Sequence, residues 1–221
     1  MPLSYRELTP PIVEPVTLAL AKQQCVVDES FIADDLYIGG LITGARQYVE
    51  KLTNRAIYNR TMALYLDFFP FPDYGSTINP NDRHVLYGSF WHQLAIKLPK
   101  PRALSVQSIT YVDLTNATQT LDPSTYFVDV NSEPARIVPM PGLYWPYTQS
   151  YLPGSITIDF TTGTYGDGMM VDTCPMTIKQ AILLLVSHWY SNRDAATATP
   201  PKAIDLGVTS LLAGEIFDSF V

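Results

Sequence analysis

Hydrophobic positions change period twice along this chain, and the changes divide it into three parts. Up to Asn54 the period is helical. Thr17 is an acceptable cap for a short helix through Leu18–Gln24. A second helix is predicted from a cap at Asp28 or Ser30 to Asn54, a natural left-handed terminator. Its apolar residues recur at Phe31/Ile32, Leu36, Ile38, Leu41/Ile42, Ala45, Tyr48/Val49 and Leu52, spaced by three and four as on one helix face. Arg46 and Glu50 can pair on the wet face. Gly39, Gly40 and Gly44 each cost about 1 kcal/mol relative to Ala. The i, i+4 spacing of Gly40 and Gly44 therefore predicts close approach of another backbone. Ahead of the helices, Pro2, Pro10, Pro11 and Pro15 predict an extended arm.

From Ile57 the period is two. Met62, Leu64, Leu66 and Phe68 point one way; Thr61, Ala63, Tyr65 and Asp67 point the other. Further strands are predicted at Leu94–Leu98, Ser105–Asp113, Tyr126–Val130 and Arg136–Val138. Ser155–Thr161 alternates most cleanly. Short breaks separate them, so the pattern is an antiparallel meander and not βαβ. Phe69–Gln93 and Pro139–Gly154 fit neither period and are long for loops in a compact domain.

Helix returns after Pro175. Thr177–Tyr190 is apolar almost all round, which predicts a central helix with Leu184 buried. Arg193 and Asp194 end it. A Thr/Pro-rich linker, Thr197–Pro201, precedes a last helix from about Gly207 to Phe217. The fold class is α+β: a helical core of N- and C-terminal helices interrupted by a long antiparallel β-rich insertion. The predicted boundaries are 1–56, 57–171 and 172–221.

Composition adds a reason to look for partners. Charged residues make up 16% of the chain, against about a quarter in an ordinary soluble domain. The 14 Tyr, 9 Phe and 3 Trp then suggest surface covered by another protein. Phe71, Tyr74, Phe90 and Trp91 in one irregular stretch, and Tyr144, Trp145, Tyr147 and Tyr151 in the other, either touch a neighbouring subunit or fold back over the sheet. A net charge of −7 without a Lys/Arg cluster makes a poor nucleic-acid wrapper. Cys25 and Cys174 form no CxxC pair and are read as free thiols. No signal-like hydrophobic region opens the chain, and the longest apolar run, Ala181–Val186, is too short for a bilayer. Folding in a cytoplasm is expected.

Candidate chemistry is sparse. His84 and His92 lack the tight spacing of a zinc helix, and His188 sits in the apolar helix. Asp34 and Asp35 diverge by about 100° on a helix, so they suit the helix dipole better than a shared substrate. Thr162–Gly168 is Gly-rich but lacks the lysine and following helix of a phosphate loop, and reads as a strand exit and turn. No serine sits in a nucleophile elbow. No catalytic, metal-binding or cofactor-binding residue is assigned. A carbohydrate- or peptide-binding module using Trp91, Trp145 and Tyr147 is the alternative reading, and a hydrolase using His84 or His92 a third.

The order of short motifs is more specific. Glu14-Pro-Val-Thr-Leu18 leads the first helix. Val27-Asp-Glu29, Asp34-Asp35, Leu41-Ile42, Ala45-Arg46, Tyr48-Val-Glu50 and Leu52-Thr-Asn-Arg-Ala56 follow. Leu98-Pro-Lys-Pro-Arg102, Val106–Tyr111, Leu121–Tyr126, Ser132–Ile137, Trp145-Pro146 and Pro175–Arg193 complete the set. In this order the chain resembles the head–tail connector (adaptor, head-completion) proteins of tailed bacteriophages and gene transfer agents, over nearly its whole length. The resemblance implies a non-enzymatic ring of about twelve copies, located in the virion neck and made in a bacterial host's cytoplasm. Its implied partners are the portal protein, a downstream neck or tail-completion protein, and passing double-stranded DNA that is not bound tightly; no membrane is involved. It also implies a portal-contacting C-terminal segment, here Leu211, Leu212, Ile216, Phe217, Phe220 and Val221.

Overall fold

A computed structural model describes residues 4–71, 94–149, 152–193 and 202–217. These residues form four α-helices and two antiparallel sheets. They divide into two compact units. One comprises Met1–Pro10 with Arg60–Thr162, the other Pro11–Asn59 with Gly163–Val221.

The sheet unit begins with β1 (Ser4–Thr9), β2 (Arg60–Leu66) and β3 (Ile96–Lys97). Then come β4 (Ala103–Val112), β5 (Thr118–Thr120), β6 (Tyr126–Asp129), β7 (Arg136–Pro139) and β8 (Ile156–Thr162). The larger sheet runs β1-β2-β8-β4-β5 and the smaller β3-β7-β6. This corrects the meander. β8 sits between β2 and β4, because the cleanest alternator buries Ile156, Ile158 and Phe160 on one face while both its backbone edges pair. The first segment is also corrected. Ser4–Thr9 is an edge strand in register with Thr61–Tyr65, anchored by Glu7 on Arg60 Nη1 at 2.8 Å. The two sheets share one core of Leu64, Phe69, Leu98, Ile109, Ile137 and their neighbours.

The helical unit contains α1 (Leu18–Gln24), α2 (Asp35–Thr53), α3 (Met176–Ser191) and α4 (Lys202–Leu212). Thr17 caps α1 by accepting from Leu20 N at 3.3 Å. Asn54 ends α2 in the left-handed region at φ 54°. Ile38, Ile42, Ala45 and Val49 of α2 pack on Ala181, Ile182, Leu185 and Val186 of α3, with Val208 and Leu212 from α4.

Five local expectations are corrected here. α2 starts at Asp35, so Phe31 and Ile32 precede it and are exposed. Arg46 and Glu50 pair at 2.9 Å in the buried interior, not on the wet face. Among the described residues, a Cβ on Gly40 would meet nothing within 4 Å and one on Gly44 only Trp189, so neither glycine serves close backbone approach there. Leu184 is only partly buried, because Leu183 and Leu184 pack at the edge of the core while Ile182 and Leu185 fill its interior. The last helix also lies earlier than predicted, ending at Leu212. The Thr197–Pro201 linker lies outside the described residues.

A charged network crosses the helical core. Glu14 accepts from Arg46 Nε at 2.7 Å and from Thr43 Oγ1 at 2.9 Å. Glu50 accepts from Arg46 Nη1 and, with its other oxygen, from Ile57 N at 2.9 Å. Both carboxylates and the guanidinium thus exchange water for fixed partners.

Candidate functional site

The aromatic residues singled out by sequence part company in the sheet unit. Trp145 is a core residue: its ring stacks on Phe69 with centroids 4.9 Å apart, and Nε1 donates to Leu94 O at 2.8 Å. Burial with a satisfied indole N–H is the ordinary fate of a core tryptophan. Trp145 is therefore no surface contact and no sugar platform. Tyr144 and Tyr147 beside it are exposed, and Tyr147 stacks on exposed Phe71 at 5.7 Å. Tyr74, Phe90, Trp91 and Tyr151, with His84 and His92, lie outside the described residues.

The C-terminal segment is divided in the same way. Leu212 is fully buried in the helical core, so it cannot meet a partner. Leu211 is half-buried and Ile216 exposed. Phe217 N donates to Thr53 O at 2.9 Å, and the Arg55 guanidinium lies 5.3 Å from the Phe217 ring centroid. Arg55 Nε also donates to Glu215 O, and the Glu215 carboxylate accepts from the Tyr165 hydroxyl. Burial, followed by that carboxylate, pushes the Tyr165 phenol up. The chain is thus held onto the helical unit through Phe217, and a truncation from Leu211 would cut into the core. Phe220 and Val221 lie outside the described residues.

Two exposed apolar clusters in the helical unit were not singled out by sequence. The first is a turn. Asp167 Oδ1 accepts from the backbone N–H groups of Met169, Met170 and Val171 at 2.9–3.0 Å. These bonds, led by that of Val171, hold the Asp167 carboxyl below its usual range. Gly166 and Asp172 pair across the turn. A Cβ on Gly166, at φ +88°, would lie 2.2 Å from Val171 O. The turn therefore has little freedom, yet it presents Met169, Met170 and Val171 to solvent, with Met176 of α3 also exposed. The second cluster is Val26, Phe31, Ile32 and Leu36, on the α1–α2 connection and first turn of α2. The helical period put Phe31, Ile32 and Leu36 on a core face. The signal that could have moved them is Asp34-Asp35, a pair better suited to a helix start than to its second turn.

The carboxylates near these clusters are structural. Asp34 accepts from Tyr190 Oη at 2.6 Å and Arg193 Nη2 at 2.8 Å, which lowers its pKa. Asp35 meets Lys22 Nζ at 2.6 Å, so the adjacent aspartates do diverge. Burial acts to raise the Asp172 pKa, but bonds from Lys179 Nζ at 2.7 Å and Tyr58 Oη at 2.8 Å leave it lowered. Burial pushes the Cys174 thiol up to about 12 and raises that of Cys25; both cysteines are free. His188 is half-buried on α3, with Nδ1 3.1 Å from Asn192 Nδ2. Among the described residues no group of three or more His, Cys, Asp or Glu is placed to hold a metal ion. No described helix is long and apolar enough to cross a membrane.

No protein-family model matches the chain, and no curated protein does. Solved structures do share the fold. A chain in the neck of an empty gene transfer agent particle, computed with C6 symmetry, is similar with a TM-score of 0.69 at 18% identity, covering 99% of this chain and 97% of that one. A chain in the virion of a native gene transfer agent particle gives 0.69 at 19% identity, covering 100% and 98%. A chain in the neck of the native particle, computed with C12 symmetry, gives 0.60 at 18% identity, covering 99% and 97%. The likeness spans both units of the chain, β insertion included.

Proposed function

We propose that this chain is a structural head–tail connector, a non-enzymatic subunit of a ring in the neck of a tailed particle. The observation that carries this is the end-to-end likeness of fold to neck chains, one of them in a twelvefold-symmetric neck. In this reading the ring holds about twelve copies, sits under the portal, extends the DNA channel and docks the next neck or tail component. The net charge of −7 suits a channel that DNA slides through, since tight binding needs phosphate neutralisation by clustered Lys and Arg. A low charged fraction and exposed apolar clusters suit a subunit with two neighbours. Among the described residues of the C-terminal segment, Ile216 is the exposed one, and it is proposed to face the portal together with Phe220 and Val221. The carbohydrate-binding alternative loses its central anchor, because Trp145 is in the core.

Co-expression with the cognate portal, followed by native mass spectrometry, tests the reading. The expected result is a complex carrying a ring of this chain on the portal ring, lost when the last four residues are removed while the melting profile is kept. A chain that stays monomeric and never joins a portal ring refutes it.

A further inference from the structure

The sheet unit carries one strand that its core does not use. Among the described strands β1 alone precedes the helices in the chain, and none of its residues belongs to the core shared by the two sheets. All six are exposed. We propose that in the assembled ring Ser4–Thr9 of one copy takes the β1 place beside β2 of the next copy, so that an exchanged strand ties each subunit to its neighbour. The proposal rests on the ring reading but goes beyond it by naming the segment that links the copies.

The occupant of the β2 edge is seen in the structure, since the chain's own Ser4–Thr9 sits there. Ser4 stands opposite Tyr65, Glu7 opposite Met62 and Thr9 opposite Thr61. Glu7 accepts from Arg60 Nη1 at 2.8 Å, and Thr9 Oγ1 accepts from Thr61 N at 3.3 Å. Each of these contacts joins residues 4–9 to residues 60–65, so Ser4–Thr9 of a second copy reproduces them all. Exchange of an identical element between copies therefore loses no contact. Arg60 is 7% exposed, and the charge-assisted bond from Glu7 serves it equally well from either copy.

The hinge is short and stiff. Pro11 begins the helical unit. Val13 packs on the helical core and Glu14 bonds to Arg46, so the crossing consists of Pro10, Pro11 and the exposed Ile12. A proline disfavours the helical region for the residue before it, which keeps Thr9 and Pro10 extended. Short, stiff hinges invite exchange between copies. Thr9 to Val13 spans at most about 14 Å at ~3.5 Å per residue, so the arm reaches an adjacent copy and no farther.

Assembly decides where the strand goes. In a free chain β1 stays on its own sheet, because exchange between two dilute copies pays the cost of association for no new contact. In a ring other contacts already hold the copies together, and a neighbour's β2 is present at an effective concentration comparable with the chain's own. Exchange then adds a link at no further cost in association. The outer edge of β1 argues against the other route, addition of one more strand. Arg6, Glu7 and the register shift between Glu7 and Thr9 are the charges and irregularity that block pairing at a sheet edge.

A full-length Ser4→Cys/Tyr65→Cys chain, made in isotope-light and isotope-heavy form and mixed in equal amounts before assembly, tests the exchange. Both positions lie off the core, so thermal melting should match the wild type. After oxidation, mass spectrometry of the linked peptides reads whether position 4 is bonded to position 65 of the same copy. In the dilute free chain every link should be all-light or all-heavy. In assembled rings, alone or in necks, about half the links should be hybrid, as random neighbours among identical copies require, and a non-reducing gel should lose its monomer band. Links in rings that stay all-light or all-heavy overturn the exchange and leave the connector reading standing. No link in any state overturns the β1–β2 register and the exchange with it. Rings of a chain lacking Met1–Thr9 that withstand dilution as well as wild-type rings also overturn it. A wild-type chain that forms no ring either alone or in necks overturns the connector reading, and the exchange falls with it.

Discussion

Replacing Arg46 by Met isolates the charged network of the helical core. The two residues have similar helix propensity, and the Met side chain occupies much of the volume of the arginine stem. What is lost is a guanidinium that is 4% exposed and bonds to Glu14 at 2.7 Å and Glu50 at 2.9 Å. Glu14 is 29% exposed and recovers water; Glu50 is 7% exposed and does not. Breaking one side of a buried pair typically costs ~3–5 kcal/mol, most of it from the stranded charge. With Glu50 Oε1 still accepting from Ile57 N and Glu14 resolvated, the lower end applies, about 3 kcal/mol. Glu50→Gln keeps an oxygen for Ile57 N and should cost about 1–2 kcal/mol. The double variant should cost at least ~1 kcal/mol less than the sum, because the stranded charge is gone. Hydrogen exchange followed by mass spectrometry reads the opening free energy of α2 amides separately from the sheet unit, so the chain need not unfold in one step. An Arg46→Met cost under ~1 kcal/mol, or strict additivity, would refute the buried-network account.

Two further outcomes are expected. Leu185→Asp should abolish folding of the helical unit, since a buried unpaired carboxylate costs several kcal/mol, whereas Leu184→Asp should fold; circular dichroism melts showing both folded or both unfolded would contradict the assigned faces of α3. Asp113 accepts from Thr115 N and Oγ1, Ala117 N and Gln119 Nε2 in the β4–β5 hairpin, and these bonds, the Thr115 hydroxyl's first and then that of Gln119, hold its carboxyl down at about 2, below the ordinary aspartate range. A depressed folded-state pKa means that its contribution is complete above about pH 4 and lost as pH falls toward 2; a carboxyl titration midpoint near 4 by NMR would show the hairpin bonds to be absent in solution.

Period and caps made the helices legible. Thr17 and Asn54 stand where their cap chemistry placed them, and the alternation of Met62, Leu64 and Leu66 identified the buried face of β2. Strand order was not legible, because alternation tells which face a strand buries and not which edge it shares; β8 beside β2 pairs Leu66 with Ile156 and Arg60 with Thr162, far apart in sequence. β1 was hidden by the flanking prolines, and its six exposed residues give no period to read. The start of α2 was misjudged because Phe31 and Ile32 continue the helical spacing by coincidence. Trp145 shows the same limit from the other side. An irregular stretch rich in Tyr, Trp and Pro looks like surface, yet one indole from it fills a core position that no strand residue fills. The Met169–Val171 turn needed geometry, since three apolar residues in sequence carry no sign of being held outward.

The helical unit is assembled from both flanks of the sheet unit, and this sets a timetable for synthesis. Ile38, Ile42, Ala45 and Val49 leave the ribosome long before Ala181, Ile182, Leu185 and Val186, the side chains that cover them. Val49 precedes Leu185 by 136 positions, so at about 5–20 residues per second the apolar face of α2 waits roughly 7 to 27 s for its cover. During that interval the sheet unit can complete itself, since all its strands lie before Gly163. The core of the helical unit therefore closes last, once α3 has been made.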